Sequence, residues 1–167
     1  STNTKLAAFD AATFAARGAH TAYSIADAVE WLCAIGTLDI SIIGHRVVHG
    51  GERFIQPQLL DDNAIAALEA LIPLAPLHQP AALRFIQETR KLYPKSRQLA
   101  CFDTAFHHTT RIEEKRLPLP RHFAQEGILR YGFHGLSYEH IANVLPQYLG
   151  NKAEGRVIVA HLGGGSS

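Results

Sequence analysis

Three short apolar runs in this chain end alike. "SIIGHRVVHGG", "LACFDTAFHH" and "VIVAHLGGGSS" each pass from aliphatic residues into glycine, histidine, aspartate or serine. Between them lie stretches with apolar residues at helical spacing, and this alternation of strand with helix predicts an α/β fold. In such folds ligands gather beyond the carboxyl ends of strands, so the three polar clusters are where chemistry is expected.

The intervening text punctuates itself. Ser24 followed by Asp27 predicts a capped helix over "SIADAVEWLCAIG", with Gly36 as its stop. Residues 38–43 predict a strand that ends before "GHRVVHGGERF". Asp61 or Asp62 caps a second helix that Pro73 and Pro76 end, "LAPLHQP" reads as a linker, and Pro80 opens a third helix that Pro94 closes. "RQLACFD", "GILRYGFHG" and "RVIVAHL" read as strands, and 138–149 as a helix with Ile141, Val144, Leu145 and Tyr148 inward. The polar, proline-bearing stretch 109–120 is the best internal candidate for a domain boundary.

Composition narrows the function classes. Among 167 residues, 16 basic and 15 acidic side chains leave a formal charge of +1, without the basic footprint of a nucleic-acid binder. No window supplies the roughly 20 apolar residues of a spanning helix, and no basic-then-apolar leader opens the chain, so a cytoplasmic protein is expected. Cys33 and Cys101 are too few for a disulfide framework and read as small buried residues. The chain starts at Ser1, has no methionine and stops inside a glycine loop, as expected of a processed or engineered product or of a piece of something longer.

Each candidate residue has two readings. Arg46 offers a planar fork of donors to a carboxylate or phosphate, or it pairs with Glu52. Gly50 and Gly51 let backbone approach a ligand. His45 and His49 stand four apart after a strand, which does not aim both rings at one metal. Asp103 at a strand end either serves magnesium or a nucleophile, or caps the turn at Thr104 and Ala105. "GGGSS" is either a phosphate cradle or a flexible tail, and it lacks the lysine of a Walker loop.

Taken in order, "GHRVVHGGERF", "LIPLAPLHQP", "CFDTAFHHT", "RYGFHGLSYEHIA" and "VIVAHLGGGSS" resemble the acetate and propionate kinase family, from about Ile40 to Ser167. The resemblance implies part of a two-domain, actin-like (ribonuclease H-like) acyl kinase fold, with residues 1–107 in an N-terminal α/β domain and 108–167 beginning a second. It implies reversible transfer of the ATP γ-phosphoryl group to acetate or propionate, with magnesium, in a protein that is a homodimer when complete. By the same resemblance Arg46 contacts the carboxylate or acyl phosphate, Val48, Leu77 and Phe133 form the alkyl pocket, and His78 and His134 lie near the transferred group. His134 stabilises the transition state, Asp103 is the catalytic aspartate linked to magnesium, and His161 with Gly163, Gly164 and Gly165 forms the phosphate loop.

Three departures accompany the match. Gly164 replaces a usual asparagine, Leu136 and Tyr138 stand where threonine and histidine are usual, and family members are more than twice as long. The chain alone is therefore expected to be catalytically weak or inactive. A different reading is a non-catalytic carboxylate-binding or assembly module that keeps the pocket around Arg46 and Val48, and a zinc hydrolase is the remote third.

Overall fold

The computed structural model of the chain describes residues 4–10, 12–36 and 40–167. Two compact units emerge, Ser1–Ile43 with Arg84–Gln98 and Gly44–Leu83 with Leu99–Ser167.

In the first unit, β1 (Thr4–Phe9) and β2 (Ala16–Ala22) form an antiparallel hairpin. Its alanine-rich strands carry little β-propensity, so periodicity gave no sign of them. Asp10 holds the connection. Its carboxylate accepts from Arg17, from the Thr13 hydroxyl and from the backbone of Thr13 and Ala12, and these donors, Arg17 foremost, hold its carboxyl far below the usual range.

Helix α1 (Ile25–Ala34) starts where the capping signal places it. The Ser24 hydroxyl accepts from the Asp27 N–H at 3.1 Å, and Gly36 follows the helix at φ +72°. Asp27 accepts in turn from the Tyr23 N–H and pairs with His20, whose ring stacks on Trp31. Ala22 and Ala28 are buried in this unit, as is Ile86. Cys33 is exposed and Cys101 only half-buried, contrary to the buried reading of both.

Of the strand expected over 38–43, residues 38 and 39 lie outside the described residues. The observed strand β3 is Ile42–Val47, so Gly44, His45 and Arg46 belong to the strand and do not follow it. Period-two burial explains the shift: His45 and Val47 point inward while Arg46 points out.

The second unit holds β4 (Gln58–Leu59) and α2 (Asp62–Glu69), which Asp61 caps by accepting the Ala64 N–H at 2.7 Å. Helix α3 (Gln79–Leu92) runs from this unit into the first and begins one residue before Pro80, inside the expected linker. Strand β5 (Arg97–Phe102) alternates inward and outward residues. The sheet order is β3-β5-β4, with β4 antiparallel to β5. Arg97 N–H donates to the Ser41 carbonyl and Asp103 N–H to that of Val47, an even stagger that makes β3 and β5 parallel. Val47, Phe54, Leu68, Ala100 and Phe102 are buried in the second unit, the Phe54 and Phe102 rings stacked at 5.1 Å.

After the sheet come α4 (Ile112–Lys115), α5 (Arg121–Gln125) and α6 (Gly135–Leu149). Two expected strands do not form. "GILRYGFHG" contributes only the bridge between Leu129 and Arg116, and residues 156–162 have no ladder among the described residues, leaving Ile158 98% exposed. An apolar run becomes a strand only where an edge receives its N–H and C=O groups. Helix α6 starts three residues before the expected Tyr138, and Tyr148 faces solvent, not the interior.

Candidate active site

Because β3 and β5 are parallel neighbours, their ends bring Arg46 against Asp103. Arg46 Nε donates to both carboxylate oxygens at 3.1 Å, and Nη2 donates to Oδ2 at 2.7 Å. The partners differ sharply in setting: the Asp103 side chain is 2% exposed and that of Arg46 60%. The carboxylate beside it raises the pKa of the guanidinium further. The fork is thus anchored from behind, while Nη1 and the outer N–H of Nη2 have no partner among the described residues and are disposed to meet an anion.

The next residues lock this corner. Thr104 Oγ1 accepts the Gly50 N–H at 3.0 Å, joining the loop after β3 to the end of β5. A Cβ on Gly50 would come within 2.6 Å of the Phe54 carbonyl and 2.9 Å of the Phe102 ring, so only glycine fits. The Asp103 carbonyl accepts the Gly135 N–H at 2.8 Å, which ties the start of α6 to the buried carboxylate. A Cβ on Gly135 would overlap that carbonyl.

His134, the residue before Gly135, caps α6 in the left-handed region at φ 57°. Histidine tolerates that conformation better than most residues, and such strain often marks functional positions. Its ring stacks on His161 with centroids 4.1 Å apart and planes 5° from parallel. His134 Nδ1 lies 2.8 Å from Ser167 Oγ, and His161 Nδ1 lies 3.1 Å from Ser137 Oγ. Reciprocal backbone bonds between His161 and Ser167 close the loop that contains Gly163, Gly164 and Gly165. A Cβ on Gly165 would stand 3.5 Å from His134 Nε2, so this nitrogen faces the glycine loop.

The other expected site residues are less closely joined. Phe133 packs edge-on to His49 at 5.8 Å, and its carbonyl is held by His107 Nε2 at 2.9 Å. Val48 is half-buried just after β3. Leu77, 86% exposed, and the exposed His78 lie in the turn before α3, and among the described residues no hydrogen bond, ion pair or ring contact joins either to Arg46, Asp103 or His134. Thr104 enters the sequence reading only as a turn residue and Ser167 only within "GGGSS", and Ser137 has no place in it, since an isolated hydroxyl carries no periodic signal. A cavity of about 460 Å³ is lined by residues including Glu52, Thr104, His107, Lys115, Arg130 and Tyr131.

His49 is 1% exposed. Its Nδ1 accepts the Gly51 N–H at 2.9 Å, its carbonyl accepts from Gln79, and burial pushes its pKa below the ordinary 6.5. The folded state therefore binds fewer protons here than the unfolded state below that value, and the stability that neutral His49 contributes, complete above about 6.5, falls as pH drops. Urea unfolding across this range is expected to show that decline in the wild-type chain and a flatter profile in H49N, whose amide oxygen can keep the Gly51 bond. Equal slopes would acquit His49.

A magnesium ion asks for about six oxygen ligands and commonly takes one or two carboxylates with the substrate's phosphates and water. Among the described residues no group of three His, Cys, Asp or Glu is arranged to hold a metal. A carboxylate offers about four acceptor positions, and Arg46 uses three of those on Asp103. The donor set fits a single contact with an ion that arrives with phosphate.

The fold is α/β and forms part of the actin-like fold of acyl kinases. The chain belongs to the acetokinase family, whose sequence pattern it matches over residues 6–167. It is 51% identical over 129 residues to an acetate kinase of Rhodopseudomonas palustris (strain TIE-1), covering 77% of this chain and 32% of the relative. An acetate kinase of Rhizobium meliloti is 45% identical over 144 residues, 86% of this chain and 37% of that one. The crystal structure of a propionate kinase from Francisella tularensis superposes with a TM-score of 0.86 at 30% identity, covering 99% of this chain and 51% of its own. The chain thus spans about a third of the length of the curated relatives it matches. Among the described residues no helix is long and apolar enough to cross a membrane.

Proposed function

We propose that the chain carries the carboxylate and phosphoryl positions of a short-chain acyl kinase, and that the whole protein transfers the ATP γ-phosphoryl group to acetate or propionate. The observation that supports this best is the anchored Arg46 fork, held from behind by buried Asp103, whose carbonyl in turn holds the start of α6 beside His134. Phosphoryl transfer demands mainly positioning and positive charge around three equatorial oxygens. On this reading Arg46 binds and orients the carboxylate, and Asp103 keeps the guanidinium in place. His134 Nε2 and the backbone of Gly163, Gly164 and Gly165 receive phosphoryl oxygens.

The substrate oxygen attacks phosphorus as ADP leaves. No general base is required, because a carboxylate is already ionised at neutral pH. Asp103 would supply this chain's contact to magnesium, which when bound would neutralise phosphate charge. Val48, Leu77 and Phe133 would flank the alkyl group, and His78 would lie near the transferred phosphoryl group. A domain boundary near residue 107, a homodimer and a cytoplasmic location belong to the same reading of the whole protein.

Titrating the chain with acetyl phosphate while recording backbone amide shifts tests the anion site. Saturable shifts are expected at Arg46, Asp103 and His134, with at least tenfold weaker binding in R46K, since an ammonium cannot reproduce the planar fork. Shifts scattered over the surface, equal in R46K, would sink the assignment.

A further inference from the structure

We propose that Tyr138, acting through Ser167, fixes the tautomer of His134 so that Nε2 carries the proton. The purpose of that proton, a hydrogen bond to the transferred phosphoryl group, rests on the kinase reading. The tautomer itself does not.

Tyr138 Oη lies 2.7 Å from Ser167 Oγ, and Ser167 Oγ lies 2.8 Å from His134 Nδ1. This is an unbranched line of two hydroxyls ending on an imidazole nitrogen. A neutral imidazole has one donor and one acceptor nitrogen, so the direction of the line decides which is which. A phenol is the stronger acid of the two hydroxyls and the better donor. Its O–H is directed to Ser167 Oγ, which turns the serine O–H toward His134. Nδ1 must then accept, and the ring proton is left on Nε2.

The surroundings favour a fixed relay. The Tyr138 ring is held by Phe106 at 6.2 Å, by the edge of His107 at 5.7 Å and by His161 at 6.4 Å. The reciprocal backbone bonds with His161 hold Ser167 in place. His161, stacked on His134, has its own hydroxyl partner in Ser137 and does not compete for Ser167 Oγ. Nε2 faces Gly165, so the proton is presented toward the glycine loop. Tyr138 touches no reacting atom and is a positioning residue.

The test is long-range proton–nitrogen correlation of the histidine rings in the labelled 167-residue chain, in mildly alkaline buffer, with the His134 signals assigned by their loss in H134Q. The wild-type chain is expected to show the Nε2–H signature for His134. Y138F should replace it by a mixture of tautomers, S167A should do the same at an exposed position, and S167T should restore it. An Nδ1–H signature in the wild-type chain, or an Nε2–H signature that survives either Y138F or S167A, overturns the proposal. No nucleotide or turnover enters the measurement, so a chain that fails to bind acetyl phosphate but shows the expected tautomers would count against the kinase reading alone.

Discussion

Replacing Arg46 by methionine is expected to destabilise the chain by about 3 kcal/mol, whereas D103N is expected to cost only about 1 kcal/mol. The asymmetry follows from burial. Without its guanidinium, the Asp103 carboxylate is left charged at 2% exposure. Without the carboxylate charge, Arg46 can turn to water from a position already 60% exposed, and the asparagine oxygen still accepts a hydrogen bond. The first figure stands at the low end for a broken buried pair because the outer half of this one is solvated. Urea unfolding of both variants and of R46M/D103N measures it, and the double variant should recover part of the R46M loss. Equal costs for the two single variants would show that the pair does not set the balance.

The second large effect is expected from G135A. The added methyl would overlap the Asp103 carbonyl, forcing α6 away and breaking the 2.8 Å bond from its first N–H. Overpacking and the lost bond together predict about 2 to 4 kcal/mol. G164A is the control: nothing lies within 4 Å of its Cβ, so it should stay within about 0.5 kcal/mol of wild type. Denaturant midpoints of the two variants give the comparison. If G135A behaves like G164A, the link from β5 to α6 is looser than its geometry.

Much of this arrangement could be read from residue order. Capping signals located α1 and α2 because a serine or aspartate side chain reaches only its own next turn, as Ser24 and Asp61 do. The apolar run before Asp103 located β5, but the run before Gly44 ended β3 too early, since a glycine, a histidine and an arginine do not read as a strand until Val47 and His45 are seen turning inward together. The run at 156–162 failed for the opposite reason: its residues suit a strand, but pairing belongs to a neighbour and not to the run itself. At the site, Arg46, Asp103 and His134 were nameable as chemical types. Arg46 and Asp103 meet through their side chains, but the bonds that hold β3, β5 and α6 around them pass through the Asp103 and Val47 carbonyls, which every residue possesses and no sequence pattern marks.

Strand β5 lies between β3 and β4, yet both of those precede it in the chain. A ribosome therefore releases the two outer strands long before the central one, and neither finds its neighbour until Phe102 has been made. Closing so long a span is slow compared with forming α2 or α3 locally. The helices are thus set to form first and wait, and the anion-facing corner closes only once β5 has joined β3.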